Sequence, residues 1–327
     1  MSEQHDRTIQ HGDATDGDVV VALDVGGTGI KCGLVRPDGV AVHTERHPTE
    51  AARGPAAVVD TILDVAEGLT DKARAGGRTP VALGIAVPGV VDEARGVAVW
   101  SANVGFRDVP LRDLAAARLG LPATLGHDVR AGGIAEARLG AGRGAGHVLF
   151  VAIGTGIAAA HVVGGVANIG AHGAAGEFGH ILVRPGGPRC GCGRPGCLEA
   201  VASAAAVGRR YQELAGTPGT AAEVAERATA GDPVAVQVWQ EAVEALADGL
   251  ATAQALYDVA TVVVGGGLAQ AGARLLDPLR AALRERVTFH REPRLVAAVL
   301  GDEAGCLGAA LLALDARGGV STTREAR

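Results

Sequence analysis

Residues 175–200 constrain this chain more than any other stretch, because they combine one histidine and three cysteines in a loop rich in Gly and Pro. Cys190, Cys192 and Cys197 form a C-x-C-x4-C pattern, and His180 lies just upstream. Three thiolates and one imidazole are the ligand set of a closed tetrahedral Zn²⁺ site. The pattern therefore predicts a loop folded around a structural metal ion. The alternative is a loop with three free thiols.

Two glutamates stand at the ends of this loop. Glu177 precedes the histidine, and Glu199 follows the last cysteine. Carboxylates held at the edge of a loop fixed by a metal ion can accept hydrogen bonds from a polar ligand such as a sugar. The loop does not identify that ligand, so the rest of the chain has to supply the chemistry.

The composition favours a globular protein of two lobes. The 327 residues exceed what one hydrophobic core usually holds, and 48% of them are hydrophobic against 20% charged. A net charge of −6 provides no basic face for nucleic acid. We expect no signal peptide and no membrane span, and the clustered cysteines suit a reducing cytoplasm. Residues 1–18 are polar and are predicted to be a disordered tail.

Strands and helices are expected to alternate, which indicates an α/β protein. The predicted strands are 19–24, 30–36, 40–46, 81–89, 97–100, 147–153, 157–163, 261–264 and 296–301. The predicted helices are 55–75, 111–119, 129–139, 200–214, 220–230, 233–257, 269–286 and 304–316. Hairpins are expected in the first part of each half, and helices dominate after the cysteine loop.

One short segment occurs twice. Gly27-Thr28-Gly29-Ile30 recurs as Gly154-Thr155-Gly156-Ile157, and each copy follows an apolar strand and opens the next strand of a hairpin. The shared context indicates two related lobes. Two such turns facing a cleft would be able to hold a polyphosphate between them.

The first of these turns has the groups that a phosphate site needs. Glycines without a Cβ let backbone N–H groups approach anionic oxygens, and Thr28 adds a hydroxyl. Asp24, at the end of the preceding strand, is placed to hold Mg²⁺ directly or through water. An ordinary glycine hairpin is the alternative. The nucleotide and phosphate candidates of the whole chain are Asp24, Gly26, Gly27, Thr28, Gly29, Gly154, Thr155, Gly156, Gly265, Gly266 and Gly267.

Asp128 is the candidate general base. It is predicted to end a short strand and to precede a helix, where a lone Asp is often a helix N-cap. With two phosphate turns and a loop for a polar ligand in the same chain, it is also suited to take a proton from a hydroxyl nucleophile. Phosphoryl transfer requires little more than positioning, a metal ion and such a carboxylate.

These elements, in this order, resemble the ROK family of sugar kinases, in particular the bacterial glucokinase type. The resemblance extends from Val19 to Ala316, and the C-x-C-G-x2-G-C-x-E run is its most specific part. It implies a two-lobed actin-like (ribonuclease H-like) ATPase fold, with a sugar and ATP in the cleft between lobes 19–122 and 123–303. The helix 304–316 would return to the first lobe. Members of the family are often homodimers or homotetramers.

The resemblance also implies roles for individual residues. Asp128 would deprotonate the 6-hydroxyl of the sugar, and His180 would bind Zn²⁺ through one ring nitrogen and the sugar through the other. The residues that it assigns to sugar binding are Asn103, His127, Asp128, Glu177, His180 and Glu199. The cofactors that it implies are ATP, Mg²⁺ and structural Zn²⁺.

The chain departs from the family pattern in two ways that matter for specificity. His127 stands where the family usually has an Asn that contacts sugar hydroxyls, and residues 158–160 are three alanines where a glycine-rich run is usual. We therefore expect a hexose kinase, with glucose as the first candidate. N-acetylmannosamine, N-acetylglucosamine, fructose and allose are the alternatives, and polyphosphate is an alternative donor. A sugar-sensing repressor is disfavoured, because only about 18 polar residues precede the first strand.

Overall fold

The structure is a computed structural model that describes residues 17–319. Its strands are β1 (Asp18–Val25), β2 (Gly29–Val35), β3 (Ala41–Pro48), β4 (Thr79–Val87), β5 (Val90–Asp92), β6 (Val97–Trp100), β7 (Arg107–Val109), β8 (Ala123–His127), β9 (His147–Ile153), β10 (Ile157–Val163), β11 (Val166–Ala167), β12 (Thr261–Gly265) and β13 (Arg294–Ala297). Its helices are α1 (Pro55–Ala75), α2 (Leu111–Leu119), α3 (Asp128–Arg138), α4 (Leu198–Ala202), α5 (Ala204–Ala215), α6 (Ala221–Thr229), α7 (Pro233–Tyr257), α8 (Ala273–Arg286) and α9 (Ala304–Arg317). The expected α/β class is confirmed.

The first of two compact units comprises, among the described residues, 17–128 and 305–319. Its main sheet has the order β3-β2-β1-β4-β8, with the first two pairs antiparallel and the last two parallel. Helix α1 covers the face on which Leu83 and Ile85 lie. Helix α9 packs on the other face so closely that a Cβ at Gly84 would lie 2.0 Å from the carbonyl oxygen of Ala309. Both faces of the sheet are therefore buried, as the apolar strands require.

The second unit runs from Val129 to Ala304 and repeats this topology. Its sheet has the order β11-β10-β9-β12-β13, again with two antiparallel pairs followed by two parallel pairs. Leu149, Val151 and Ile153 face a core formed with the helices α4 to α8. Helix α3 covers the opposite face, where Gly132 lies against the ring of Phe150. The duplicated lobe that the Gly-Thr-Gly-Ile repeat indicates is thus visible in the strand order.

Several element bounds differ from the sequence prediction. The helix expected at 200–214 is two helices, because the side chain of Ser203 accepts a hydrogen bond from the N–H of Ala206 and starts α5. The strand expected at 296–301 starts at Arg294, where it pairs with Thr261 of β12. A 3₁₀ turn at Gly267–Ala271 precedes α8 and shortens the helix expected at 269–286. The short strands β5, β7 and β11 were not anticipated.

The boundary between the two units lies a few residues later than the sequence predicts. β8 pairs with β4 in the first sheet, so the first unit continues past residue 122 to Asp128. Asp18 is already the first residue of β1, and residues 1–16 of the tail predicted at 1–18 lie outside the described part. Among the described helices, none is both long and apolar enough to cross a membrane.

Candidate active site

The first Gly-Thr-Gly turn connects β1 to β2 and is held in place from the end of β3. The N–H of Gly26 donates to the carbonyl of Gly29 at 2.8 Å, which closes the turn. The hydroxyl of Thr49 donates to the carbonyl of Gly26 at 2.6 Å, and its N–H donates to that of Thr28 at 3.2 Å. Thr28 itself is exposed. The turn is therefore rigid, and it leaves the Thr28 hydroxyl available for a ligand.

Asn103 lies directly beside this turn. A Cβ at Gly27 would be 3.3 Å from the Cβ of Asn103, and the Asn103 side chain is exposed. The loop that carries Asn103 is anchored by Phe106, which is fully buried in the core under α1. The structure thus brings one predicted sugar residue against the predicted phosphate turn.

Asp24 lies at the end of β1, where its carboxylate meets the first turn of α9. A Cβ at Gly305 would lie 2.3 Å from an oxygen of Asp24, so only glycine fits at that position. The partial positive charge of a helix N-terminus favours a carboxylate. The side chain is half-buried, and its surroundings fix the position of the carboxylate. A fixed carboxylate is suited to be a ligand for Mg²⁺.

His127 and Asp128 lie where β8 ends and α3 begins, as the sequence predicts. The N–H of His127 donates to the Glu93 carboxylate at 3.3 Å. The Nδ1 atom of His127 is 3.4 Å from a carboxylate oxygen of Asp128. The Asp128 side chain is 29% exposed and that of His127 is 12% exposed. Asp128 therefore presents a carboxylate to solvent at a sheet edge, where a substrate can reach it.

The second Gly-Thr-Gly turn connects β9 to β10. The N–H of Gly154 donates to the carbonyl of Gly156 at 2.9 Å, and the carbonyl of Gly154 accepts from Ala204 at 2.8 Å. A carboxylate oxygen of Glu199 accepts a hydrogen bond from the N–H of Ile157 at 3.0 Å. A Cβ at Gly156 would lie 2.5 Å from that same oxygen. Glu199 is therefore attached to the second turn.

The glycines at 265–267 end next to that turn. β12 is parallel to β9, and Gly265 is aligned with Ala152. Gly266 has φ of 81°, and a Cβ there would lie 2.5 Å from the carbonyl oxygen of Ile153. Gly266 and Gly267 are exposed. The two predicted nucleotide segments of the second unit thus meet at one edge of its sheet.

The predicted metal ligands converge in the cysteine loop. The Nδ1 atom of His180 is 3.5 Å from the sulfur of Cys190, and the sulfurs of Cys192 and Cys197 are 3.6 Å apart. One ligand atom from each of the four residues lies within 4.8 Å of the others. Tetrahedral Zn²⁺ with bonds of about 2.0 to 2.3 Å separates its ligand atoms by about 3.5 to 3.8 Å. The donor set and its spacing fit such an ion.

The thiols of the cysteine loop differ in acidity. The backbone N–H of Arg194 lowers the pKa of the exposed Cys192 to about 7, whereas burial raises the pKa of Cys190 to about 11. A thiolate is the form that binds metal, and near neutral pH the lower pKa gives Cys192 a larger thiolate fraction than Cys190. The guanidinium of Arg194 also donates to the carbonyl of His180 and ties the two ends of the loop together.

The two ring nitrogens of His180 have different neighbours. Its Nδ1 atom points to the cysteines, and its Nε2 atom is 3.7 Å from a carboxylate oxygen of Glu177. The backbone of Gly176, next to Glu177, accepts a hydrogen bond from Ala159 of β10 at 2.8 Å. Glu177 is 52% exposed. The loop therefore presents Glu177 and one edge of His180 to solvent from a fixed base.

Three residues that support these groups were missed in the sequence. Glu93 binds the backbone of His127, as described above. Arg130 is 3% exposed in α3, and its guanidinium donates to the carbonyl of Gly173 at 3.0 Å, in the loop before Glu177. Glu136 is fully buried, and its carboxylate accepts from three backbone N–H groups, those of Ala141, Val299 and Leu300. Buried charged residues in a helix signal such anchors, but only the fold shows what they hold.

Known proteins resemble this chain over most of its length. The ROK family model matches residues 20–316. The chain is 34% identical over 315 residues to a glucokinase of Streptomyces coelicolor, with 90% of this chain and 97% of that protein covered. It is also 34% identical over 297 residues to an N-acetylmannosamine kinase of Escherichia coli, with 90% and 97% covered.

Solved structures give the same result. A ROK hexokinase from Thermus thermophilus is 36% identical with a TM-score of 0.83, covering 91% of this chain and 99% of that one. A ROK-family glucokinase from Streptomyces griseus, in complex with glucose and AMPPNP, is 33% identical with a TM-score of 0.77, covering 90% and 99%.

These similarities show that the chain is an ATP-dependent sugar kinase with a two-lobed α/β fold. The chain belongs to the ROK family.

Proposed function

We propose that the protein transfers the γ-phosphoryl group of ATP to the 6-hydroxyl of glucose. The observation that carries this proposal is Asp128, a half-exposed carboxylate fixed at the junction of β8 and α3. Asp128 takes the proton of the 6-hydroxyl while that oxygen attacks the γ-phosphorus. The bond to the bridging oxygen of ADP breaks, and sugar 6-phosphate and ADP leave.

The residues that the family resemblance assigns to sugar binding belong to two units of the chain. Asn103, beside the first turn, and His127 bind the sugar from one unit. Glu177, the Nε2 edge of His180 and Glu199 bind it from the other. Of these, Glu199 accepts a hydrogen bond from the N–H of Ile157 with one oxygen, and its other oxygen, 3.8 Å from the Cys190 sulfur, is the one that we propose for a sugar hydroxyl. Hydroxyl recognition by a few fixed polar groups is also what separates one hexose from another.

The phosphates are held by the glycine turns. Backbone N–H groups of the two Gly-Thr-Gly turns and the hydroxyls of Thr28 and Thr155 donate to phosphate oxygens. Asp24 holds Mg²⁺, directly or through water, and the exposed backbone at Gly265–Gly267 lies against the nucleoside. Mg²⁺ supplies neutralisation of the charge that develops on the phosphates.

Zn²⁺ has a structural role in this proposal. His180, Cys190, Cys192 and Cys197 hold it, and no position is left for a reacting group. Its contribution is to fix the His180 ring so that the Nε2 edge faces the sugar beside Glu177. We also propose a cytoplasmic location, since these thiols must stay reduced, and a homodimeric or homotetrameric assembly.

A second candidate substrate is N-acetylmannosamine. The N-acetylmannosamine kinase of Escherichia coli and the glucokinase of Streptomyces coelicolor are both 34% identical to this chain. His127 is bulkier than an Asn and changes the sugar wall at the residue next to the base. Glucose is preferred in our proposal because Asn103, Glu177 and Glu199 all suit hydroxyl groups.

A substrate panel tests the proposal. Initial rates with Mg-ATP are measured for glucose, mannose, fructose, allose, N-acetylglucosamine and N-acetylmannosamine, and kcat/KM is compared. We expect glucose to give the highest value. A higher kcat/KM for N-acetylmannosamine would mean that this sugar, and not glucose, is the preferred substrate. No turnover with any hexose would overturn the kinase assignment. Replacing ATP by polyphosphate in the same assay tests the donor.

A further inference from the structure

A second group of metal-ligating side chains lies in the first unit, away from the cysteine loop. His43, Glu45 and His47 alternate along β3, so they share one face of this edge strand. Cys32 of β2 is aligned with Glu45 and is 2% exposed. Cys32 belongs to the core under α1, so the four side chains lie on the face that α1 covers. We call this group the edge-strand cluster.

The polar atoms of the edge-strand cluster converge on one carboxylate. The Nε2 atoms of His43 and His47 are 2.8 Å and 3.0 Å from the two oxygens of Glu45. Ligand atoms of Cys32, Glu45 and His47 all lie within 4.8 Å of one another. Within residues 17–319, these three residues of the cluster and the four ligands of the cysteine loop are the only groups whose ligand atoms lie so close together.

Lys72 of α1 completes the arrangement. Its ammonium donates to the Glu45 carboxylate and lies 3.1 Å from the Nε2 atom of His43. That nitrogen cannot donate to Glu45 and accept from Lys72 at the same time, because a ring nitrogen has either a proton or a lone pair. The Lys72 ammonium thus places a positive charge beside the Glu45 carboxylate and the His43 ring. Lys72 is 47% exposed, so its side chain is able to turn into solvent.

We propose that the edge-strand cluster binds a divalent transition-metal ion such as Zn²⁺, with Cys32, Glu45 and His47 as ligands and His43 as the fourth. A thiolate, a carboxylate and imidazoles are the donors that such an ion prefers. The ion takes the place of the Lys72 ammonium and accepts the lone pairs of both imidazoles, which resolves the conflict at His43. An ion pair between Lys72 and Glu45 alone would need neither the thiol nor two histidines.

This site shares no residue with the sugar and nucleotide site, so the proposal is independent of the proposed function. The cluster is nonetheless close to the first turn in the sheet. His47 precedes Pro48, and Pro48 is aligned with Gly29, the last residue of that turn. The ion would therefore cross-link the two strands that end at the first turn.

Metal counting on the full-length protein tests the proposal. The protein is titrated with Zn²⁺ and freed of loosely bound ion by gel filtration, and the bound zinc is measured by mass spectrometry. We expect two equivalents in the wild type and one in Cys32→Ser or Glu45→Gln. The double variant Cys192→Ser/Cys197→Ser should also keep one, held by the edge-strand cluster. The equivalent retained in the cysteine loop shows that Cys32→Ser and Glu45→Gln are folded.

The matched control is Cys306→Ser. Cys32 and Cys306 are both buried thiols whose sulfurs donate to a backbone carbonyl at 3.5 Å, that of Glu45 and that of Ala22, but Cys306 is outside the cluster. The Cys306→Ser variant should keep two equivalents of zinc. Lys72→Met should bind the second ion about tenfold more tightly in competition with a chelator, because a like charge is removed. One equivalent in the wild type, two in Cys32→Ser, or unchanged affinity in Lys72→Met would each overturn the proposal.

Discussion

The two Gly-Thr-Gly turns occupy the same place in two sheets of the same strand order, yet they obtain their carboxylates differently. The first turn has Asp24 on the strand that leads into it, and the first turn of α9 fixes that side chain. The second turn has no acidic residue of its own. The N–H of Ile157 at the end of this turn donates a hydrogen bond to Glu199, which lies two residues after Cys197, the last cysteine of the metal loop.

This difference indicates that the two turns have different roles. A carboxylate at the strand end can meet a metal ion near the phosphates, whereas Glu199 serves the backbone of its turn and faces the sulfur of Cys190 with its other oxygen, at 3.8 Å. In the proposed mechanism, the first turn therefore has the carboxylate that would hold Mg²⁺. The second turn depends on the metal loop for its shape.

The largest contrast is expected between two isosteric substitutions. Asp24→Asn removes the charge that we propose to hold Mg²⁺ and should lower kcat about 100-fold or more. Glu199→Gln keeps an oxygen that can accept from Ile157 and should lower kcat less than about tenfold. Steady-state kinetics at saturating glucose and ATP measures both. Equal losses in the two variants would contradict the different roles of the two turns.

Removal of the loop metal should act on the second turn and on sugar binding. Chelation, or Cys197→Ser, frees His180 and Glu199 and should weaken glucose binding about 10- to 100-fold, measured by calorimetry. The melting temperature should fall as well. Cys306→Ser, with a buried thiol outside the loop, serves as the control. If the chelated protein bound glucose as tightly as before, the loop would have no part in shaping the site.

The contact between Gly156 and Glu199 can be tested through stability. Gly156→Ala places a Cβ against a carboxylate oxygen that is already bonded, and should cost about 1 to 3 kcal/mol of unfolding free energy. Gly154, two residues earlier, has open space around its Cβ position, so Gly154→Ala should cost much less. Urea unfolding measures the two values. Similar costs for both would mean that Glu199 is not held against the turn.

The smallest effect concerns the strand after each turn. His161 of β10 corresponds through the repeat to Leu34 of β2, a core residue. Both ring nitrogens of His161 are buried without a hydrogen-bond partner among the described residues, and its ring stacks on Tyr257 at 4.5 Å. His161→Phe keeps the stacking without the polar cost, and should raise the unfolding free energy by about 1 kcal/mol.

The pH dependence of His161 gives an independent check. Burial lowers the pKa of His161 in the folded protein, with a smaller contribution from His147. A base whose pKa is lowered by folding binds its proton more tightly in the unfolded chain, so the folded state loses stability as the pH falls below the unfolded pKa. The gain from His161→Phe should therefore increase at acidic pH, and a gain that does not depend on pH would contradict this explanation.

Much of this site could be predicted from the sequence. The spacing of Cys190, Cys192 and Cys197 and the position of His180 suffice to predict the cluster, because metal ligands must be of few types. Asp128 was found because a strand end and a helix start enclose it. Both signals are local, and the structure confirms the junction and the convergence of ligands.

Other parts depend on contacts that no local pattern shows. The bond from Ile157 to Glu199 joins residues 42 positions apart, and Glu136 binds the backbone of Leu300 over 164 positions. The break between α4 and α5 depends on the single cap at Ser203, within a run of alanines that favours one helix. The start of β13 was fixed by its pairing with β12 rather than by its own apolar run.

Asp128→Asn tests the central claim most directly. Its kcat for glucose phosphorylation is measured by a coupled assay, and its glucose affinity by calorimetry on the same preparation. The claim that Asp128 is the general base predicts a loss of kcat of about 100-fold or more with glucose affinity retained within about fivefold. An active Asp128→Asn enzyme, or one that loses glucose binding and activity together, would contradict it and leave Asp128 as a helix cap.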